Sequence, residues 1–260
     1  MTAATIFAAY YLSAKNNFEL IAAAAASIAG ALTAAGGNVI NDIFDIETDK
    51  INRNDRPIPS GKISARNAYV FYAVLNTAAV IVSLYLAGVA VAILCVTVLL
   101  LFLYSGFLKR VTGVSNITVA FMTGLAFIFG GTAAGNIVPA VIPAAFAFLI
   151  NLIREIVKDN IDVPGDKNTG IITIPVKYGD AAAKNLNIAL IILLVISVNI
   201  PFFSGYYKAE YIVIINLILN PLLLYIIKLF RDNYDMAALK KASGILKLNM
   251  LIGLLAILAG

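Results

Sequence analysis

The stretch Asn67–Leu108, NAYVFYAVLNTAAVIVSLYLAGVAVAILCVTVLLLFLYSGFL, holds 42 consecutive residues without a charged side chain. A bilayer's hydrocarbon core is about 30 Å thick and an α-helix rises about 1.5 Å per residue, so one crossing takes ~20 apolar residues. The run is therefore long enough for two crossings, and Ala87-Gly88 near its middle predicts the bend between them. The 43 uncharged residues between Arg110 and Arg154 read the same way, breaking at Gly135-Asn136-Ile137-Val138-Pro139. Single spans follow at roughly 18–42, 184–204, 209–229 and 240–259. Thr2 to Ala14 is apolar for only 13 residues. It is read as the remnant of a first span whose beginning is missing; a cleaved signal peptide would need a basic start and a soluble domain behind it, and none follows. The expected fold is all-α: one integral membrane bundle of nine transmembrane helices, the first short, around a central cavity. Continuous rather than alternating apolar runs exclude a β-barrel.

Composition agrees. The 260 residues are 61% hydrophobic and 13% charged, with a mean hydropathy of +0.92. Soluble domains average about 25% charged residues, which this chain cannot supply. With nine helices, the loops 42–66, 108–114, 154–184 and 228–247 share one face. They hold 17 of the 19 Lys and Arg residues, all but Lys15 and Lys208, and 12 of the 14 acidic residues, all but Glu19 and Glu210. The positive-inside rule makes that face cytoplasmic. A net charge of +5 suits anionic headgroups, and no basic-aromatic module points to nucleic acid. The lone Cys95 lies in mid-span, so neither a disulfide framework nor a thiolate metal site is expected.

The carboxylates are patterned. Asn41-Asp42-Ile43-Phe44-Asp45-Ile46-Glu47-Thr48-Asp49 ends the second span, and Asp159-Asn160-Ile161-Asp162-Val163-Pro164-Gly165-Asp166 ends the sixth. Both read D-x-[FI]-D-[IV]-x-x-D-K, and each leads to an Ile-Pro element, Pro57-Ile58-Pro59-Ser60-Gly61 or Thr173-Ile174-Pro175. The match predicts an internal duplication within a single domain, residues 1–260, with halves of about 1–110 and 111–260. On a helix, positions i, i+3 and i+7 share a face. Asp42, Asp45 and Asp49 are therefore expected to line up, with Asn41 beside Asp45. Asp159 and Asp162 should do the same, Pro164-Gly165 ending that helix before Asp166. Stacked carboxylates repel one another unless a cation intervenes, and oxygen ligands at this density suit Mg²⁺ carrying substrate phosphates. The chain has no His, which disfavours softer metals. Expected metal ligands are Asn41, Asp42, Asp45, Asp49, Asp159, Asp162 and Asp166. Arg53, Arg56, Lys62, Lys109 and Arg154 lie in or beside the same loops and could complete a clamp on a diphosphate. Two such rows facing each other at the mouth of a bundle would hold a diphosphate bridged by metal ions.

At these residues the sequence resembles the UbiA superfamily of intramembrane prenyltransferases. The first family motif, NDxxDxxxD, stands at Asn41 to Asp49 and the second at Asp159 to Asp166. Asp55-Arg-Pro-Ile-Pro-Ser-Gly61, Arg154-Glu-Ile-Val-Lys-Asp159, Thr173-Ile-Pro175 and Tyr178-Gly179 look like the branch of archaeal digeranylgeranylglyceryl phosphate synthases. Tyr104-Ser105 with Leu108-Lys109-Arg110 resembles an element whose lysine meets the diphosphate, and that position is Lys109. The cytoplasmic Arg-Pro stretch and full first helix with which family members begin are not seen. The resemblance implies Mg²⁺-dependent transfer of a prenyl group from a prenyl diphosphate to a lipid-like acceptor, with Asp45, Asp162 and Lys109 catalytic. For this branch the donor is geranylgeranyl diphosphate, the acceptor geranylgeranylglyceryl phosphate and the product an archaeal ether lipid. No obligatory protein partner is evident.

Tyr104, Phe44 and Phe107 are candidates for facing the allylic cation. Glu155, one turn before Asp159, could be a base or simply Arg154's partner. A UbiA-type enzyme with an aromatic, quinone-pathway acceptor is the alternative. A divalent cation carrier is the more distant one, because carrier carboxylates sit near the bilayer midplane and these gather at one face.

Overall fold

The computed structural model describes residues 1–14 and 17–260, so Lys15 lies outside the described residues. Every regular element among those residues is helical. In chain order they are α1 Thr2–Ala14, α2 Leu20–Phe44, α3 Ile46–Asn52, α4 Ala65–Ser83, α5 Gly88–Gly106, α6 Val114–Ala133 and α7 Val138–Thr169. Then come α8 Ile174–Tyr178, α9 Asp180–Ser197, α10 Ile200–Phe203, α11 Ala209–Ile214, α12 Asn220–Asp232 and α13 Met236–Ala259. A 3₁₀ turn, Leu108–Arg110, follows α5, and a wide π-turn, Ile215–Leu219, joins α11 to α12. Among the described residues eight helical segments are long and apolar enough to cross a membrane, α9–α10 and α11–α12 each counting as one. The 13-residue α1 is the short ninth helix. Both expected bends are found, between Ser83 and Gly88 and between Ala133 and Val138.

The chain divides into two compact units, Met1–Lys109 with Leu125–Val141, and Arg110–Gly124 with Ile142–Gly260. In the first unit α2 is the axis on which α1, α4 and α5 pack. Its interior is made of small residues: Ala26, Ala29, Ala79 and Ala90 are fully buried with Ile6, Leu94 and Phe129. Lipid tails are as apolar as leucine, so helices associate in a bilayer through close packing, which small residues permit. The docking of α1 is the extreme case. A Cβ placed on Gly130 would lie 2.6 Å from the Ile6 carbonyl oxygen and 2.8 Å from Ala9 Cβ, so only glycine admits the two backbones at this distance.

In the second unit α12 packs between α9 and α13. It buries Leu223, Ile226, Ile227 and Phe230 and exposes Leu224. Pro221 has no N–H to return to Leu217, and the chain widens to a π-turn just before it. Asparagines on this span and the one before it form a chain of hydrogen bonds. Asn216 Nδ2 donates to Asn199 Oδ1 and Asn220 Nδ2 to Asn216 Oδ1, both at 2.9 Å.

One expectation fails. Pro164-Gly165 does not end α7; the helix runs on to Thr169 with Pro164 inside it. The stop is Gly170, at φ +71°, after which Ile171 N–H donates to the Asp166 carbonyl at 3.0 Å. This is the left-handed glycine cap with its six-to-one bond. Pro164 already has a helix-compatible φ, and it forfeits one backbone bond rather than the helix. Outward-facing side chains such as Leu84, Leu217 and Phe203 are 66%, 73% and 79% exposed, the reverse of a soluble fold and the arrangement lipid contact requires.

Candidate metal and diphosphate site

The first motif sits where α2 turns into α3. Asp45, at φ −95° and ψ 3°, interrupts the helix, although its N–H still reaches the Asn41 carbonyl (3.0 Å) and its carbonyl still takes the Asp49 N–H (2.7 Å). The expected straight ladder of Asp42, Asp45 and Asp49 is thus kinked at its middle member. Asp45 is held at both oxygens: Asn41 Nδ2 donates to Oδ2 at 2.9 Å and Lys109 Nζ to Oδ1 at 2.5 Å. Lys109 also donates to Asn41 Oδ1 at 3.4 Å. The lysine comes from the 3₁₀ turn after α5, 64 residues away, and its side chain is only 14% exposed.

Arg56 spans the other two aspartates, donating from one nitrogen to Asp42 Oδ1 at 2.9 Å and Asp49 Oδ2 at 2.7 Å. Burial works against its charge, but the hydrogen bond to Asp49 and the charges of Asp49, Asp42 and Asp45 raise its pKa above the ordinary arginine value. A self-bonded loop holds it there. Arg53 N–H bonds Asp49 O, Arg56 N–H bonds Arg53 O, Ser60 N–H bonds Arg56 O and Ile63 N–H bonds Pro57 O. Ile58 anchors the loop against a cluster of Ile40, Ile43 and Ala68. The Pro-Ile-Pro-Ser-Gly element therefore folds as a turn that aims Arg56 back at the motif. Its counterpart, Ile174-Pro175, opens the short helix α8 instead, so the two Ile-Pro elements fold differently.

The second motif lies on the last turns of α7 and is served differently. Asn116, in the first turn of α6 and 2% exposed, donates from Nδ2 to Asp159 Oδ2 at 2.7 Å. Thr173 donates its hydroxyl to Asp166 Oδ2 at 3.2 Å. Asp162 is exposed. The neighbouring cations turn to Glu155, which receives Lys158 at 2.9 Å and Arg154 at 3.2 Å. Glu155 is thus a local ion-pair partner.

Of the basic residues read from the sequence, the structure brings Arg56 and Lys109 to aspartates, leaves Arg53 and Lys62 exposed and pairs Arg154 with Glu155. Among the aromatics, Phe44 packs edge-on against Phe102 at 5.6 Å, and Phe107 is 63% exposed. Thr173 stood in the sequence only as the start of the Thr173-Ile174-Pro175 element, and Asn116 was not singled out at all. The signal for Asn116 is weak, since it lies seven residues past Lys109 with no repeat partner.

The donor chemistry fits a hard divalent cation: the polar atoms are carboxylate and amide oxygens, and there is no imidazole in the chain. Among the described residues no three acidic side chains gather on one point; Arg56 and Lys109 supply the positive charge in the first motif.

Comparison with known proteins gives a consistent result. The profile of the UbiA prenyltransferase family matches residues 2–251. A Methanopyrus kandleri protein named digeranylgeranylglyceryl phosphate synthase is 36% identical over 239 residues, 92% of this chain and 87% of that one. One of the same name from Methanocaldococcus jannaschii is 38% identical over 228 residues, 87% and 79% of the two chains. A solved structure of digeranylgeranylglyceryl phosphate synthase superposes with a TM-score of 0.86 at 34% identity, covering 100% of this chain and 92% of that one. A UbiA homologue from Archaeoglobus fulgidus, solved with GPP and Mg²⁺, shares the fold at a TM-score of 0.75 and 21% identity, covering 98% and 96%.

Proposed function

Because the chain belongs to the UbiA prenyltransferase family, a family of multi-pass membrane enzymes, we propose that it moves a geranylgeranyl group from geranylgeranyl diphosphate to the hydroxyl of geranylgeranylglyceryl phosphate. The observation that carries this is the tie between two independent facts. Relatives bearing that activity's name match almost the whole chain, and each aspartate of the Asn41–Asp49 motif, the most chemically demanding part of it, is met by a cation, Asp45 by Lys109 and Asp42 and Asp49 by Arg56.

In this reading Asn41, Asp42, Asp45 and Asp49 would hold Mg²⁺, and Asp159, Asp162 and Asp166 would do the same in the second unit. Mg²⁺, when bound, supplies Lewis-acid stabilisation of the departing diphosphate. Lys109, already inside the first motif, keeps its ammonium beside the charge that grows as the C1–O bond lengthens. Arg56 binds and orients, its guanidinium able to exchange carboxylate for phosphate oxygen with little change of geometry. Arg53, Lys62 and Arg154 draw the anionic donor to this face. The acceptor hydroxyl attacks C1, an ether bond forms, and diphosphate and a proton leave. Apolar helices exclude the water that would otherwise capture the allylic cation. The active face is the cytoplasmic one, as the lysine and arginine bias of its loops indicates.

Incubation of purified chain with labelled geranylgeranyl diphosphate, Mg²⁺ and either geranylgeranylglyceryl phosphate or an aromatic quinone precursor tests the reading. Label is expected in the glycerol lipid and is abolished by EDTA. Label only in the aromatic acceptor would replace the acceptor assignment. Magnesium uptake into proteoliposomes without any prenyl transfer would replace the enzyme with a carrier.

A further inference from the structure

Asn116 has no place in either aspartate motif, yet it is 2% exposed and sits 2.7 Å from Asp159, 43 residues away in sequence. We propose that Asn116 is a positioning residue for Asp159, fixing the carboxylate's rotation with a neutral donor so that its free oxygen is aimed at a divalent cation. The inference rests on the reading of the second motif as a metal-holding one.

Several observations converge on it. Asn116 is placed by the first turn of α6, and its own amide is oriented from the other side, where the Ser115 hydroxyl donates to Oδ1 at 3.4 Å. Because an ionised carboxylate only accepts, Nδ2 is the amide atom that faces Asp159. An ionised carboxylate offers about four lone-pair sites. The amide takes one on Oδ2 and adds no positive charge. A lysine or arginine there would orient the carboxylate equally well but would compete with a metal ion for it. The cations nearest in sequence, Arg154 and Lys158, are instead drawn off by Glu155. Hydrogen-bonded partners of ligating carboxylates behave this way in metal sites generally, and their loss typically costs about 10–100-fold in metal affinity or activity.

The test measures metal binding directly, by Mn²⁺ electron paramagnetic resonance on the full chain in detergent with inorganic pyrophosphate present, alongside the melting temperature. Asn116→Ala is expected to weaken Mn²⁺ binding about tenfold or more while the protein still melts cooperatively within a few degrees of the parent. Asp159→Asn weakens it too, and adding Asn116→Ala to Asp159→Asn produces no further loss, because the asparagine acts through that carboxylate. Should the alanine variant not fold, Asn116→Ser, whose hydroxyl is too short to reach Asp159, is used for the same cycle. Unchanged Mn²⁺ affinity in a folded Asn116 variant overturns the proposal, as does a full additional loss in the double variant. In either case prenyl transfer by the parent protein would still stand, so the two readings fail separately. Absence of Mn²⁺ binding in the parent would remove both the metal assignment and this inference.

Discussion

The two aspartate motifs share a spacing, D-x-[FI]-D-[IV]-x-x-D-K, but not an electrostatic solution. In the first, every aspartate has a cation: Lys109 on Asp45, Arg56 on both Asp42 and Asp49. In the second, Asp159 takes a hydrogen bond from an amide, Asn116, and Asp166 one from a hydroxyl, Thr173, while Arg154 and Lys158 pair with Glu155. Identical ligand patterns can therefore be poised for different work. The first combines carboxylates with positive charge that could be handed to a phosphate, whereas Asp159 and Asp166 of the second take hydrogen bonds from neutral donors.

The difference can be challenged in order of severity. Replacing Asp45 or Asp162 by Ala should each lower prenyl transfer by roughly 10³-fold or more, since either loss removes metal-mediated charge stabilisation. Retained activity in Asp162→Ala would show that the second motif is only a relic of duplication. Lys109→Met is expected to cost about 10²-fold, falling on kcat rather than on the KM for donor, because its charge matters most as the diphosphate departs. An effect confined to KM would recast Lys109 as a simple binding residue. Arg56→Gln should lose roughly tenfold in activity and also shift the melting temperature, since two partly buried carboxylates lose their partner at once. Gly170→Ala is the mildest, about 1 kcal/mol of stability from forcing a side chain into φ +71°, read as a small drop in melting temperature with activity kept.

The membrane class, both hairpin bends and the two motifs were legible in the sequence because each rests on a local rule: run length, Gly-Pro punctuation, carboxylate spacing. What was hidden depends on distance or on competing signals. Pro164 outshouted Gly170 as a helix stop, although a proline keeps helical φ and only a glycine supplies the left-handed cap. Asp45 breaks its own ladder, which i, i+3, i+7 arithmetic assumes intact. Choosing Arg56 and Lys109 out of five basic residues needed the fold, since one is aimed by a turn after Pro57 and the other arrives from the end of α5. Asn116 joins Asp159 across 43 residues, and a lone asparagine announces nothing.

The π-turn at Ile215–Leu219 bears on how this chain tolerates change in length. Such a turn is one residue longer than the α-helical turn it replaces, so it behaves as an absorbed insertion. Deleting a single residue there would restore regular pitch while rotating everything on one side by about 100°. Asn220 would swing away from Asn216, or Asn216 from Asn199, and an amide would be stranded in hydrocarbon. Sequence relatives should therefore keep or lose the extra residue and the asparagine pair together.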